Sequence, residues 1–584
     1  MTYHNSDQKL QAIRAQMQKA GVDAFLVPQT DEYLGEYIPA CAQRLAWLVG
    51  FNGSAGIGII GHEAACVMSD GRYTIQLSQQ IDLDLYQAVN SQEVSVDEWL
   101  SGHFDKNIMI GYDPKLHTPS FVQKLEEAGW ILKAVDHNLV DLIWDDQPDA
   151  PCSQVFLFDD KYAGQTAAEK IKLFQDFLSH GNCDALLLTL SDSIAWLLNI
   201  RGNDLPYIPV TLSYLILPRA GKAQWFVNDA KLNEKVKQAL GDLVDFCSMR
   251  SIEDSIVALS GQSVWYDPKR SSIYFKNLFD KNNVKISEGD DPVIYPRACK
   301  NKFEQDAMKV AHIRDGVAMV RFLKWFDENA QSEDLDELAV EGKLERFRAL
   351  APEYKEPSFN TISGFGANGA IVHYRADEKS NKEIENGNLL LLDSGAQYID
   401  GTTDVTRTIA VGQPTDEMIK CNTLVLKGHI ALAMARFKEG TSGKDLDALA
   451  RASLIAEGLN YSHGTGHGVG CYLSVHEEAT SISPRTEEAM AEGMIVSNEP
   501  GFYKEGEFGI RIENLILCKK SDNENLFFET ITLAPLDKNL IDISILSDEE
   551  KNWINDYHQE VFDKISPHLD DEETAWLKNA TSKI

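Results

Sequence analysis

The spacing of apolar and polar positions divides the first half of the chain into alternating helical and strand patterns. Gln8 to Ala20 carries apolar residues at helical spacing and stops at Gly21, and Asp23-Ala24-Phe25-Leu26-Val27-Pro28 then reads as a buried strand. The runs Ile57-Gly58-Ile59-Ile60 and Ala65-Cys66-Val67-Met68 add two more strands, and strands alternating with helices predict an α/β domain. A second block echoes the first. Asp184-Ala185-Leu186-Leu187-Leu188 matches the Asp23 run, and Ala195-Trp196-Leu197-Leu198 matches Ala46-Trp47-Leu48-Val49. The offsets differ, 24 residues from Asp23 to Trp47 and 12 from Asp184 to Trp196, so a diverged duplication and a chance likeness of two α/β units both stay open.

The polar stretch Asp145-Asp146-Gln147-Pro148-Asp149-Ala150-Pro151 marks one boundary, and Pro292 to Pro296 marks another. The expected domains are residues 1–147, 148–300 and 301–584, the last including an extension from about residue 520. Phe303 to Phe326 places Met308, Val310, Ala311, Ile313, Val317, Met319, Val320 and Leu323 at helical spacing, which predicts a long first helix for the third domain. From Asp548 onward the chain is acidic, with Trp553, Tyr557, Val561 and Phe562 on a helical face, as expected of a docked helical extension rather than a catalytic unit.

Composition narrows the function classes. A chain of 584 residues is too long for one hydrophobic core, and 43% apolar with 25% charged residues is globular composition. A formal net charge of -34, with no Lys/Arg block, argues against nucleic acid as a partner. The nine cysteines are scattered without a CxxC pair, so reduced thiols are expected. The N-terminal residues lack an apolar signal region, and no run approaches the ~18–20 apolar residues of a membrane span. A cytoplasmic protein without a membrane partner is expected.

The chemistry concentrates in residues 359–519. Leu389 to Leu392 reads as a buried strand ending in Asp393; a turn-rich stretch containing Asp400-Gly401 follows, and then a strand through Asp404, Thr406, Thr408 and Ala410. A tight turn at Asp400-Gly401 would not set the two aspartates opposite each other, so a longer connection is implied. The device recurs: Met494 to Glu499 is a strand stopped by Pro500-Gly501, and Gly509 to Leu517 alternates strictly as its return arm, ending the count at four acids with Glu513. Two such units suggest a pseudo-symmetric curved sheet with the acids converging on one face. Arg511, two residues from Glu513, is either a surface residue or one that orients that acid. Between the units, His463-Gly464-Thr465-Gly466-His467-Gly468-Val469-Gly470, if extended, puts every glycine on one face, as needed where another backbone or a ligand comes very close. The glycines also argue against the helical zinc motif for this His-x-x-x-His spacing. His373 lies upstream and His476 downstream. Four carboxylates and an imidazole suit a pair of hard or borderline divalent ions, whose charge relieves the repulsion among the acids and activates a shared water.

The strings LLLLDSGAQY, GTTDVTRT, HGTGHGVG, SNEPGFY and RIENL resemble the methionine aminopeptidase/prolidase/aminopeptidase P superfamily. HGTGHGVG followed by VHE, NLVDLIWDDQP, RGND and the long extension make the finer resemblance one to the cytosolic three-domain X-prolyl aminopeptidases. The resemblance implies an α/β (α+β) fold class: two creatinase/prolidase N-terminal-type α/β domains, then a C-terminal pita-bread domain with a helical extension. It implies Asp393 as ligand of one metal, His467 and Glu499 as ligands of the other, and Asp404 and Glu513 as bridges. His373, His463 and His476 match non-ligand histidines of the family's active site.

The activity so implied removes the N-terminal residue from peptides with proline second, with two divalent ions, Mn²⁺ first and Co²⁺ or Zn²⁺ as alternatives, in a homodimer. Glu499 would shuttle the proton of the attacking water, His476 would stabilise the oxyanion, His373 would serve the leaving side and His463 would wall the proline pocket. The first two domains would either support a dimer or limit access to the site. Rival readings are a prolidase restricted to X-Pro dipeptides, a catalytically inactive binding protein on the same fold and metal-free creatinase-type hydrolysis. The complete ligand set argues against the last two.

Overall fold

A computed structural model describes residues 5–331, 334–521 and 523–584. The chain divides into two compact units, Met1–Val293 and Ile294–Ile584. The first unit carries two six-stranded sheets. Helix Ser6–Ala20 begins where the Asn5 side chain accepts the Gln8 N–H and ends at Gly21, whose φ of 62° closes the left-handed cap. Leu10, Ile13 and Met17 form its buried face.

The first sheet orders its strands as Gln87–Asn90, Ala65–Ser69, Ile57–Gly61, Ala24–Pro28, Met109–Tyr112, Ile131–Ala134. The second orders Val244–Cys247, Ala223–Phe226, Tyr214–Pro218, Ala185–Leu188, Ser263–Tyr266, Lys285–Glu288. Pairing senses match strand for strand. In both sheets the central strand runs antiparallel to one neighbour and parallel to the other, and both edge strands are parallel to the strand beside them. The two echoing aspartate runs occupy the same central place in their respective sheets. Shared topology thus favours duplication over chance for that likeness, and the unequal offsets fall in the connections.

In the second unit the long helix spans Lys302–Asn329, opened by a reciprocal cap between Asn301 and Glu304. A three-stranded and a six-stranded antiparallel sheet carry the acids. Helices Asp416–Ala433 and Asp548–Ile565 share one apolar core with the hairpin that follows Glu499, through Val425, Ile430, Ile554, Val561 and Ile510. Helix Asp548–Ile565 buries Ile554, Tyr557, His558, Val561 and Ile565, so the extension is docked as its sequence predicts.

Candidate metal centre

Strand Asn388–Ser394 lies between Ile362–Phe365 and Val405–Val411, antiparallel to both. Asp393 stands opposite Thr406, and Asp404 precedes the first residue of the partner strand. Between the two aspartates the chain leaves this sheet. Ala396–Tyr398 and Gly401–Thr402 pair with each other and join Tyr354–Pro357 in a separate small sheet. This excursion is the longer connection the spacing required.

Glu499 and Glu513 repeat the scheme. Ile495–Asn498 and Asn514–Lys520 pair antiparallel, with Asn498 opposite Asn514, and each acid lies one residue beyond that rung. The hairpin Gly501–Lys504/Phe508–Arg511 fills the gap between them. Two expectations are corrected here. The arm from Gly509 to Leu517 is not one strand: it breaks at Ile512-Glu513 between two sheets. The Glu513 N–H is drawn to the Thr406 carbonyl (3.2 Å), and Arg407 Nη1 holds the Glu513 carbonyl (2.7 Å), so this residue bonds across sheets instead of within a ladder. The acids accordingly arise from two adjoining sheets, not from one.

The histidine string is extended only over Gly466–His467–Gly468, with a register irregularity after His467. Two of its glycines, Gly466 and Gly468, behave as expected, while Gly464 has only ordinary contacts around it. A Cβ on Gly466 would lie 2.0 Å from the Ser497 carbonyl, and one on Gly468 would lie 2.5 Å from that of Glu477. Neither position admits a side chain. Close backbone approach seats His467 beside the Glu499 strand.

Ligating atoms of Asp404, His467 and Glu513 lie within 4.8 Å of one another. His467 Nε2 is 3.5 Å from Asp404 Oδ2 and 3.4 Å from Glu499 Oε1. His467 Nδ1 donates to the Gly468 carbonyl (3.0 Å), which leaves the Nε2 lone pair facing the carboxylates. Burial, then Glu513, Asp393 and Glu499 around it, raises the Asp404 carboxyl well above the usual range. Burial with Glu499 and Asp393 does the same to Glu513. Two carboxylates at such separations repel by about 3–4 kcal/mol at an effective dielectric near 20, so the group does not ionise fully without a cation.

Buried Asp393 Oδ1 and Asp404 Oδ1 have no hydrogen-bond partner among the described residues. Buried acceptors left open this way, next to an imidazole lone pair, fit a divalent cation and fit poorly with a purely structural cluster.

Cross-bracing was only partly legible beforehand. Arg511 is buried, and its Nη2 donates to Asp393 Oδ2 (2.5 Å), so it holds the aspartate of the other unit rather than Glu513. Its Nη1 donates to the Tyr503 hydroxyl (2.6 Å), which in turn sits 2.8 Å from His463 Nε2. His463 Nδ1 donates to the Gly464 carbonyl, so Nε2 accepts from Tyr503. Burial pushes the Tyr503 phenol up to about 12, against the lowering effect of Arg511. Thr406 Oγ1 donates to Glu513 Oε2 (2.8 Å), and Ser497 Oγ donates to Glu499 Oε1 (3.1 Å).

Tyr503, Thr406 and Ser497 were missed as individuals, although each lies within a string that carried the resemblance. The His476 ring packs edge-on against His467 at 4.4 Å. His373 follows Val372, whose carbonyl accepts from Arg511 (3.4 Å).

Residues 306–520 match Metallopeptidase family M24, residues 9–142 and 146–304 each match the Creatinase/Prolidase N-terminal domain, and residues 524–584 match the C-terminal region of peptidase_M24. A probable Xaa-Pro aminopeptidase P of Paracoccidioides brasiliensis is 38% identical over 615 aligned residues, covering 99% of each chain. The X-prolyl aminopeptidase of Caenorhabditis elegans, described as a cytosolic enzyme with a di-nuclear active site, superposes with a TM-score of 0.95 at 32% identity, covering 100% of both chains. A prolidase from Pyrococcus horikoshii OT3 superposes with a TM-score of 0.52 at 26% identity, over 63% of this chain and 99% of its own. The expected fold class holds: two creatinase-type α/β regions, a peptidase region and a helical C-terminal region. Among the described residues no helix is long and apolar enough to cross a membrane.

Proposed function

Because the chain belongs to the Xaa-Pro aminopeptidase P family within the M24 metallopeptidases, we propose that it releases the N-terminal residue from peptides whose second residue is proline. The observation that carries this reading is the convergence of Asp404, His467 and Glu513 beside two buried, unpaired aspartate oxygens. In this reading Asp393 would serve one ion, His467 and Glu499 the other, and Asp404 and Glu513 would serve both. When bound, the two ions supply Lewis acidity and a nucleophile at neutral pH.

The chain's own residues then do the following work. Glu499, steadied at Oε1 by Ser497, takes the proton of the attacking water and returns it to the leaving nitrogen. His476, against the His467 ring, donates to the developing oxyanion. Tyr503 fixes His463 as a neutral wall of the proline pocket, and His373 contacts the leaving side. Arg511 keeps Asp393 aimed inward.

Mn²⁺ is the proposed ion, since oxygen-rich ligation with one imidazole suits it. The domains are taken as residues 1–147, 148–300 and 301–584, in a cytoplasmic homodimer. The C. elegans enzyme covers the whole chain and the P. horikoshii prolidase covers 63% of it, which favours the aminopeptidase over a dipeptidase. The test is hydrolysis of an X-Pro-Pro tripeptide by metal-stripped enzyme, with Mn²⁺, Co²⁺ and Zn²⁺ restored in turn. Cleavage between the first residue and proline is expected with Mn²⁺. Cleavage of X-Pro dipeptides alone would make the protein a prolidase, and failure with every ion would sink the reading.

A further inference from the structure

Behind the paired acids lies a set of buried polar groups that the proposed chemistry does not use. Arg407 is 2% exposed, and every nitrogen of its guanidinium is engaged. Nη1 donates to the carbonyls of Thr406 (2.8 Å) and Glu513 (2.7 Å). Nη2 is shared among Asn514 Oδ1 (2.8 Å), the Ala534 carbonyl (2.8 Å) and the Tyr557 hydroxyl (2.9 Å), and Nε donates to the Pro535 carbonyl (3.0 Å). These acceptors are all neutral. Burial lowers the guanidinium's affinity for its proton, opposed by Tyr557 and Glu513. A buried cation without a matching anion is expensive, and apolar residues would fill the same volume at less cost to stability.

The network continues to a second buried side chain. His429, fully buried on helix Asp416–Ala433, sets Nδ1 on the Asn498 carbonyl (3.0 Å) and Nε2 against Asn514 Nδ2 (3.1 Å). Asn498 Nδ2 returns a bond to the His429 carbonyl (2.9 Å). The imidazole is therefore neutral, donating from Nδ1 and accepting at Nε2. Asn498 and Asn514 face each other across the ladder and are the immediate neighbours of Glu499 and Glu513. Tyr557 closes the set from helix Asp548–Ile565, its hydroxyl lying 2.8 Å from the Ala534 carbonyl and 3.3 Å from Asn514 Oδ1.

We propose that helix Asp548–Ile565 is a working part of the metal centre, acting through Tyr557, Arg407, Asn514 and His429 as positioning residues for Glu499 and Glu513. The bonds of Tyr557 run to Arg407, Asn514 and backbone carbonyls and reach the glutamates only through them. The helix fixes the rung from which both glutamates emerge, and Arg407 adds a positive charge behind Glu513. This inference rests on the metal-centre reading above.

The test is chelator competition on the Mn²⁺-loaded full-length enzyme, read as the chelator concentration that removes half the metal, alongside the melting temperature of each metal-stripped protein. Tyr557→Phe and Arg407→Lys are each expected to release Mn²⁺ at about tenfold lower chelator. Trp576→Phe is the control: it deletes the bond from Nε1 to Asp327 Oδ2 that anchors helix Asp571–Ala580, outside the network. It should lower the melting temperature without moving the chelator midpoint. If Arg407→Lys does not fold, Tyr557→Phe decides alone. Midpoints equal to wild type, or shifts that Trp576→Phe reproduces for the same loss of melting temperature, would overturn the proposal. Should Glu513→Gln also keep its Mn²⁺ as tightly as wild type, the metal centre itself would be wrong and the proposal would fall with it.

Discussion

The two acid-bearing strand pairs place their carboxylates by the same device and support them differently. In each, two paired strands deliver one acid apiece, and a small hairpin occupies the gap between the acids. The aspartate unit, however, receives its firmest bond from outside, since Arg511 on the hairpin of the glutamate unit holds Asp393. The glutamate unit receives Thr406 in return on Glu513 and is backed further by His429 and Arg407. Each half thus carries a support for the other, and neither half is complete alone. Convergence of four carboxyl groups is maintained by exchange between two sheets, not by one rigid surface.

Breaking the exchange in one direction should outweigh breaking it in the other. Arg511→Lys keeps a charge but loses the fork that spans Asp393 and Tyr503, and kcat/KM on an X-Pro-Pro peptide should fall about a hundredfold. Thr406→Val removes a single hydroxyl bond to Glu513 and should lower the same quantity by about tenfold. Equal losses in the two variants would show that the supports are not asymmetric.

A further effect concerns pH. Burial pushes the His429 imidazole down to about 3, helped by the Arg407 charge. A depressed histidine leaves its share of stability intact above the ordinary value near 6.5, and that share is lost as pH falls toward 3. By pH 5 the loss attributable to this group is on the order of 2 kcal/mol. The glutamate unit should therefore loosen first in acid. Nitrogen NMR of labelled histidine checks the premise: His429 should stay neutral at pH 5, and a resonance titrating near 6.5 would contradict it.

What could be seen in the sequence was local. Strand-ending acids, the alternating glycines of residues 463–470 and the aspartate-led strands of the first unit follow from period-two patterning and from the bulk a glycine excludes. Less visible were the bonds between segments far apart in sequence. Arg511 sits two residues from Glu513, yet it reaches 118 positions back to Asp393. Strict alternation from Gly509 to Leu517 disguised a break at Glu513, because cross-sheet bonds to Thr406 and Arg407 impose that break and side-chain polarity does not record it. Tyr557 looked like one more apolar position on the C-terminal helical face. Its hydroxyl, invisible to a hydrophobic pattern, ties that helix to the acids.

The hairpin between Glu499 and Glu513 has a consequence for how such a protein can change. Its base is held by Tyr503 and Arg511, while its tip, Glu505-Gly506-Glu507, is exposed and turns through a glycine with φ of 76°. Residues added at that tip would lengthen a loop without shifting either glutamate, because both are pinned by the ladder beneath. A lineage could thus vary this exposed tip while inheriting the two glutamates unchanged. Insertion at Gly506 would be the place to look for that freedom.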